Sequence, residues 1–364
     1  MSARSALVLL GLLAACGAEH ERGAASDEAQ ASPELGRTPT WLPGPASTRT
    51  RSDPSRAELD HECRSCHAEV AHEWAQSQHA SAWSSAAFQR AFASEPRPFC
   101  QGCHAPETSP REPVPAWAAE LGVGCVTCHV DPSGEIWAGL DDAEKDLDAP
   151  HPVARAAAFE SPQGCAACHE FEFPDAALRD QPLAMQSTLS EHQSSRERER
   201  SCIDCHMPTD AGWRSHVFPG AYDLAMLRRA LTIRVERPSP EVVRIELGLG
   251  EVGHAVPTGD LLRRLELALV EVDGEGHERV HARAWLGRRF EDRMQSNHIE
   301  LREQVADDRV GVGETTRVVE LRVPSSVQGE LRWRVVHQRV ATHARRPGSA
   351  RIEGAIEIAS APLP

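Results

Sequence analysis

Basic residues are in short supply in this 364-residue sequence, in which 39 Lys and Arg stand against 54 Asp and Glu and leave a formal net charge of −15. Binding to a phosphate backbone needs clustered Lys and Arg, so this balance argues against a nucleic-acid partner. Aromatic residues make up only 5%, but 40% of the residues are hydrophobic, which allows a packed core. The length is enough for two domains of ordinary size.

A long apolar run is also missing. The apolar stretch near the N-terminus covers residues 6–15, which is too short for a permanent membrane helix and, with Arg4 before it, is typical of a secretory signal. Residues 13–16 (Leu-Ala-Ala-Cys) resemble the bacterial lipobox, in which the Cys is acylated and becomes the mature N-terminus. We therefore predict a lipoprotein signal peptide over residues 1–16, with lipidation at Cys16. An ordinary cleavage site with an incidental Cys is the alternative.

Residues 17–58 lack any hydrophobic period and are rich in Ala, Ser, Pro, Glu and Arg. This composition favours a flexible tether between the lipid anchor and the folded part. The signal and the anchor together predict an exported protein, either periplasmic or an outer-membrane lipoprotein of a bacterium.

Cysteine is absent outside one repeated pattern, apart from Cys16. The other ten cysteines form five C-x-x-C-H motifs, the attachment signature of c-type haem. The two thiols form thioethers with the haem vinyl groups, and the adjacent His binds the iron as its proximal ligand. A disulfide framework, zinc knuckles and redox dithiols are alternatives, but none of them needs a His at the same offset five times.

We therefore predict five covalently attached haem c groups. The predicted thioether cysteines are Cys63, Cys66, Cys100, Cys103, Cys125, Cys128, Cys165, Cys168, Cys202 and Cys205. The predicted proximal ligands are His67, His104, His129, His169 and His206. All five motifs fall within residues 59–228, which is too little chain to wrap each haem in a separate shell. The haems are therefore expected to stack closely and to pass electrons to one another.

Each iron also needs a distal ligand or keeps an open position, and this choice separates an electron relay from an enzyme. His79 lies on a segment with helical patterning, His254 lies in a tight Gly/Pro turn, and His151 lies between two prolines. A surface role is the alternative for each of them. Met185 is a further conceivable ligand, although core packing explains it as well.

The order of several short motifs resembles the cytochrome c-552/c-554 family of multihaem cytochromes, which is related to the haem core of hydroxylamine oxidoreductase. The resemblance covers roughly residues 59–265. The points of match are Glu73-Trp74-x-x-Ser77-x-His79, Gly122-Val123-Gly124-Cys125, Cys168-His169-Glu170-Phe171, Met185-Gln186-x-Thr188, Cys205-His206-Met207-Pro208, Ser215-His216 and His254-x-x-Pro257-Thr258-Gly259.

The resemblance implies that most irons have two His ligands and that one can be five-coordinate. The distal ligands that it implies are His79, His216 and His254, and His151 and His192 are further candidates. The chain departs from the catalytic relatives, because it has no C-x-x-C-K motif and its one Tyr, Tyr222, gives no recognisable cross-linking Tyr.

After about residue 229 cysteine is absent and the pattern changes to period two, with about seven strand-like segments separated by turn signals such as Asp273-Gly274 and Pro347-Gly348. We predict a multidomain α + β chain. A mainly helical or loop-built multihaem cytochrome c domain at 59–228 is followed by a β-sandwich domain at 229–364, for which an immunoglobulin-like arrangement is one option. This second domain is expected to act as a scaffold, with partner docking as the alternative.

Electron transfer through closely stacked, mostly bis-His haems is the predicted function, so an electron carrier is favoured over a catalyst. The predicted partners are redox proteins with a basic docking face and a membrane reached through Cys16. A reductase or oxidase of a small nitrogen or sulfur compound at one open haem is the first alternative. A binding module built on the β domain is the second. His277, His281, His298, His337 and His343 are predicted to be surface residues.

Overall fold

The computed structural model describes residues 53–110, 112–140, 150–210, 212–342 and 346–364. The predicted signal peptide, Cys16, His343 and most of the predicted tether lie outside these residues. The described chain is a mixed α + β structure, with short helices first and long antiparallel strands after them. Every described helix is too short or too polar to cross a bilayer.

The first part of the described chain, residues 53–230, is called the helical half here. Its α-helices are α1 Ser55–Cys66, α2 Ala68–Ala75, α3 Ala86–Ser94, α4 Gln101–His104, α5 Ala116–Leu121, α6 Cys125–His129, α7 Gln163–His169, α8 Thr188–Gln193, α9 Ile203–His206 and α10 Leu224–Ala230. Short strands pair between them as β1 Trp137–Ala138 with β2 Ala154–Arg155, β3 Glu170–Glu172 with β4 Ala184–Ser187, and β5 Thr209–Asp210 with β6 Trp213–Arg214.

Every C-x-x-C-H motif lies in a helical turn or directly beside one. The α1, α4, α6, α7 and α9 helices each end at the motif His or one residue before it. Residues three apart on a helix share a face, so the two cysteine sulfurs of a motif point to the same side. The spacing read from the sequence thus has a simple geometric origin.

Residues 231–364 are called the β half. Its strands are β7 Leu231–Ser239, β8 Val242–Leu249, β9 Arg263–Val272, β10 Glu278–Met294, β11 Glu300–Asp307, β12 Thr316–Arg322, β13 Glu330–Val340 and β14 Ile352–Pro362. They form a five-stranded sheet in the order β11-β10-β9-β13-β14 and a three-stranded sheet in the order β12-β8-β7. All pairings in both sheets are antiparallel.

The two sheets of the β half share one hydrophobic core. Val243, Ile245 and Leu247 of β8 face Leu265, Leu267 and Leu269 of β9, and all six side chains are fully buried. The predicted strands are therefore found, together with one that was missed, β11. Its sequence, ELREQVAD, is too polar to show the period-two pattern. An immunoglobulin-like arrangement is not confirmed.

The helical half has much less hydrophobic core of its own. Its one buried cluster among the described residues consists of Leu121, Val126 and Val130, with Leu59, Trp117 and Ile136 packed against it. The two halves belong to one compact unit. A segment of this size normally buries far more apolar surface, so something other than side chains must complete its interior.

Glu271 of β9 is a buried acid that stabilises the β half. It accepts hydrogen bonds from the backbone N–H groups of Gln328, at 2.7 Å, and Gly329, at 2.6 Å, and lies 2.6 Å from Nε2 of His281. The two backbone donors and His281 lower the pKa of Glu271 to about 2. His281 was predicted to lie on the surface, but its side chain is only 6% exposed because it covers this carboxylate.

The lowered pKa of Glu271 predicts acid sensitivity. The carboxylate contributes stability that is fully present above its unfolded pKa of 4.5 and is lost as the pH falls towards about 2. Glu271→Gln should lower the melting temperature at neutral pH and make its fall below pH 4.5 shallower. Thermal unfolding followed by circular dichroism over this range tests the prediction, and a variant with the wild-type pH profile contradicts it.

Candidate haem site

A single large cavity of about 2180 Å³ lies against the helical half. Ordinary small-molecule pockets measure roughly 300–1,000 Å³, so this cavity has room for several groups of cofactor size. Its walls include all ten motif cysteines and all five motif histidines. None of the ten cysteines forms a disulfide. The cavity therefore takes the place of the missing core.

Four of the five motif histidines face a second histidine across this cavity. The ring centroids are 6.3 Å apart for His67 and His151, for His169 and His79, and for His129 and His216, and 6.2 Å apart for His206 and His254. Two imidazoles on opposite sides of one metal ion, with metal–nitrogen bonds of about 2 Å and ring centres about 1 Å further out, have centroids roughly 6 Å apart. The pairs therefore fit the two axial positions of a haem iron.

Metal sites built from protein side chains alone do not fit these residues. No group of three or more His, Cys, Asp or Glu in the described ranges is placed to hold a metal ion. A structural zinc site needs four such ligands. Paired histidines without further protein ligands in the described ranges fit a cofactor that supplies the remaining ligands, as a porphyrin does.

The Nδ1 atoms of several of these histidines lie against backbone carbonyl oxygens. His104 approaches Ala82 O, His129 approaches Trp137 O, and His206 approaches Pro219 O, each at 2.7 Å. On the distal side, Nδ1 lies 2.8 Å from Arg214 O in His216 and 3.0 Å from Ala255 O in His254. A hydrogen bond at Nδ1 sets the tautomer and leaves Nε2 for the metal.

Burial keeps these imidazoles neutral. It lowers the pKa of His79, His169 and His254 to about 4, and it also lowers the pKa of His129 and His216. A metal binds the neutral ring, because protonation occupies the lone pair. At neutral pH these side chains are therefore in the form that binds iron.

The motif cysteines have the character of buried thiols. Burial raises the pKa of Cys100 to about 11 and that of Cys125 to about 12. Cys165 lies within hydrogen-bonding range of Cys202, which lowers the pKa of Cys202 to about 7. Cys168 lies in the same way beside Cys103. Cysteines of different motifs thus meet, and the second, fourth and fifth motifs are close neighbours.

Gly122 and Val123 lie far from His79 in the sequence but contact its backbone carbonyl. The backbone N–H of Val123 donates to His79 O at 2.9 Å, and Val123 O in turn accepts from the Trp74 indole at 2.8 Å. Gly122 has φ of +58°, and a Cβ there would lie 2.6 Å from His79 O. The close backbone approach explains the glycine in the Gly122-Val123-Gly124 motif.

His216 is positioned by a carboxylate of α2. Oε2 of Glu73 accepts the His216 backbone N–H at 2.7 Å, and Oε1 lies 3.4 Å from the Trp213 indole nitrogen. Glu73 belongs to the Glu73-Trp74 motif singled out in the sequence. The motif thus supports both His79 and His216.

His192 is the one distal candidate that the structure does not bring opposite a motif histidine. Its Nδ1 lies 3.2 Å from Gly253 O and its Nε2 lies 2.8 Å from Arg200 O, so both ring nitrogens are occupied by the backbone. It lines the cavity beside Gly253, whose Cβ position would be 2.6 Å from Nδ1. The structure thus places His192 against the turn that carries His254.

His104 differs from the other four motif histidines. Its ring stacks on Phe88 of α3 at 3.7 Å with an interplanar angle of 11°, and no second imidazole lies opposite it at the pair spacing within the described chain. Met185 lines the same cavity. Phe88 was not singled out as a site residue, because an aromatic on an amphipathic helix normally signals core packing.

His337 was also misjudged from the sequence. It was predicted to lie on the surface, but it is 5% exposed, it lines the cavity, and its Nε2 finds no hydrogen-bond partner among the described residues. Burial lowers its pKa to about 4. The last six residues of β13, which include His337, are all buried. Buried and exposed positions therefore do not alternate there as they do in a strand with one side facing solvent.

Comparison with known proteins agrees with this geometry. Residues 62–130, which contain the first three motifs, match the family model described as cytochrome c554 and c-prime. The fold is similar to the crystal structure of a penta-haem cytochrome c552 from Thermochromatium tepidum. The TM-score is 0.59 at 19% identity, over 83% of this chain and 97% of that one. These matches support a multihaem c-type cytochrome family. No curated protein matches the chain.

The family-model match over residues 62–130 confirms the resemblance inferred from the short motifs. It also supports haem c as the cofactor and electron transfer as the general role. The family match covers Gly122 and Val123, the two residues that contact the His79 backbone, while the fold match extends into the β half.

The close approach at Gly122 yields a test. Gly122→Ala forces a Cβ against His79 O and should cost about 1–3 kcal/mol of stability, because the backbone of a distal candidate must shift. In haem-loaded protein the low-spin fraction should fall together with the melting temperature. Gly274→Ala is the matched control, since a Cβ at Gly274 meets nothing within 4 Å. If Gly122→Ala behaves like Gly274→Ala, the close approach has no role.

Proposed function

We propose that this chain is an exported electron-transfer protein that carries five haem c groups, four of them ligated by two histidines. The observation that carries the proposal is the spacing of the four imidazole pairs, which matches one metal ion between two rings. The other support is the five C-x-x-C-H motifs around one cavity. Haem supplies one-electron redox chemistry when it is bound. The cysteines of the chain would set its position, and the histidines would serve as its axial ligands.

The five sites are numbered here by motif order. The proposed ligand sets are Cys63, Cys66 and His67 with His151 for the first site; Cys100, Cys103 and His104 for the second; Cys125, Cys128 and His129 with His216 for the third; Cys165, Cys168 and His169 with His79 for the fourth; and Cys202, Cys205 and His206 with His254 for the fifth.

Contacts between the sites support a connected electron path. Cys168 and Cys165 of the fourth site approach cysteines of the second and fifth sites. His79 of the fourth site interacts electrostatically with His216 of the third. His129 of the third site interacts in the same way with His67 of the first. The path we propose is therefore branched, with the fourth site at its centre.

The second site keeps one alternative open. A reductase or oxidase of a small nitrogen or sulfur compound needs a haem with a free axial position. His104 has no opposing imidazole in the described chain, and this observation favours the second site as the place for such chemistry. We rank this function below electron transfer, because the four other sites are built as closed pairs.

Export and anchoring complete the proposal. Arg4, the apolar run over residues 6–15 and Cys16 support a lipoprotein that faces the periplasm or lies on the outer membrane. Two features support redox proteins with a basic docking face as partners: the net charge of −15 and the haem propionates that would add to it.

Haem content tests the count. The mature holo-protein should have a mass that corresponds to five covalent haems, and its pyridine haemochrome spectrum should be that of c-type haem. Reduction and reoxidation should be reversible. A protein with zinc and no covalent haem would overturn the proposal.

Removal of one distal ligand tests the pairing. His216→Ala should convert the iron of the third site to high spin, because His129 then has no opposing imidazole. Electron paramagnetic resonance of the ferric protein should show one additional high-spin haem and one low-spin haem fewer. His72→Ala is the matched control, since His72 is exposed on α2 and does not line the cavity. An unchanged spectrum in His216→Ala rules out this ligand.

A further inference from the structure

Four charged side chains form a buried cluster behind the His254 turn. They are Glu191 of α8, Arg288 of β10, Asp307 of β11 and Arg309, and their side chains are 12%, 4%, 13% and 6% exposed. Two positive and two negative groups make the cluster neutral as a whole. Three of its members come from the β half and one from the helical half.

Arg309 joins the two acids of this cluster. Its Nη1 donates to Glu191 Oε1 at 2.7 Å, and its Nη2 donates to Asp307 Oδ2 at 2.8 Å. Arg288 lies 3.9 Å from both carboxylates. Burial would raise the pKa of Glu191, but the Arg309 charge and hydrogen bonds from Ser187 and Thr258 outweigh it and hold the pKa below its usual range. Glu191 is therefore ionised at neutral pH.

Glu191 connects this charge to the His254 turn. Its Oε2 accepts the Ala255 backbone N–H at 3.2 Å and the Thr258 hydroxyl at 2.7 Å. The carbonyl of the same Ala255 lies 3.0 Å from Nδ1 of His254. Ala255 thus donates its N–H to Glu191 and presents its carbonyl oxygen to the His254 imidazole. The second contact fixes the rotation of that ring.

The β half also holds the turn through its backbone. Val256 and Val310 exchange N–H···O=C bonds of 2.9 and 3.0 Å. Arg309 Nη1 makes a longer contact of 3.3 Å with Pro257 O. Arg288 donates from Nη1 to Ala184 O at 2.9 Å and from Nη2 to Ser187 Oγ at 2.7 Å, so it anchors the strand that leads into α8.

We propose that Arg309, Arg288 and Glu191 are positioning residues for His254, through which the β half controls the axial ligation of the fifth site. The proposal rests on the function proposed above. It gives the β half a role in electron transfer beyond that of a scaffold. Groups that hydrogen-bond to a metal-binding imidazole orient the ring and tune the metal. This cluster acts one step further away, through the backbone of Ala255, which contacts His254.

The chief alternative is that the cluster only joins the two halves. Buried ion pairs often add little net stability compared with apolar residues of the same size. A cluster that served only adhesion would therefore gain little from being charged. A cluster that must hold one turn in one orientation gains from directional hydrogen bonds, which apolar contacts do not provide.

The test uses the full holo-protein and variants of the two central residues. In Arg309→Gln and Glu191→Gln, the fifth site should lose its bis-His low-spin signal in part or in full, and its midpoint potential should shift. The signals of the other sites should be unchanged. Arg309→Lys keeps the charge at this position and should restore part of the low-spin signal. Electron paramagnetic resonance and a redox titration followed by absorbance provide the readouts.

Matched controls separate positioning from stability. His281→Gln changes the buried contact with Glu271 in the same half and should lower the melting temperature without changing any haem signal. If Arg309→Gln also lowers the melting temperature and leaves every haem signal unchanged, the cluster is only structural and the proposal is wrong. Thr258→Val removes one hydrogen bond to Glu191 and serves if Arg309→Gln does not fold. It should broaden or shift the same low-spin signal, and an unchanged signal in it counts against the proposal.

Failure of the proposed function looks different from failure of this inference. A wild-type protein without covalent haem would refute the function. A wild-type protein with five haems, together with silent Arg309 and Glu191 variants, would refute only the role of the cluster.

Discussion

The spacing of the four imidazole pairs is the constraint on which the rest of the structure depends. It fixes how far apart the chain segments of each pair lie, and the ring centroids of all four pairs are 6.2–6.3 Å apart. In His129, His216 and His254, a backbone contact at Nδ1 and burial together favour the neutral ring. The large cavity is the space that these distances leave between the segments.

The proximal half of each site was predictable because it is local. A C-x-x-C-H motif places two sulfurs and an imidazole within one helical turn, and no distant residue is needed to recognise it. The distal half is not local. His169 of the fourth motif pairs with His79, which follows the first motif in the chain, so only the tertiary fold can show which rings meet.

The errors have physical reasons of the same kind. His192 was named as a distal candidate, but both its ring nitrogens lie against backbone carbonyl oxygens, a contact that the sequence does not show. His337 was predicted to be exposed because the sequence of a strand does not show whether the face it points to is solvent or the wall of a cavity. In the structure His337 lines the cavity. The β strands were predictable from period two, except for β11, whose polar sequence hides it.

Carboxylates recur beside the distal ligands. Glu73 accepts the backbone N–H of His216, and Glu191 accepts that of the residue after His254. In both cases an acid binds the main chain next to the imidazole and leaves the ring itself free.

The hydrophobic core is distributed unevenly between the two halves. The β half closes its own core from Leu, Ile and Val side chains, whereas the helical half closes around a cavity that its cofactors must fill. The interior of the β half is therefore encoded in its own side chains, whereas the interior of the helical half depends on groups that its side chains do not supply.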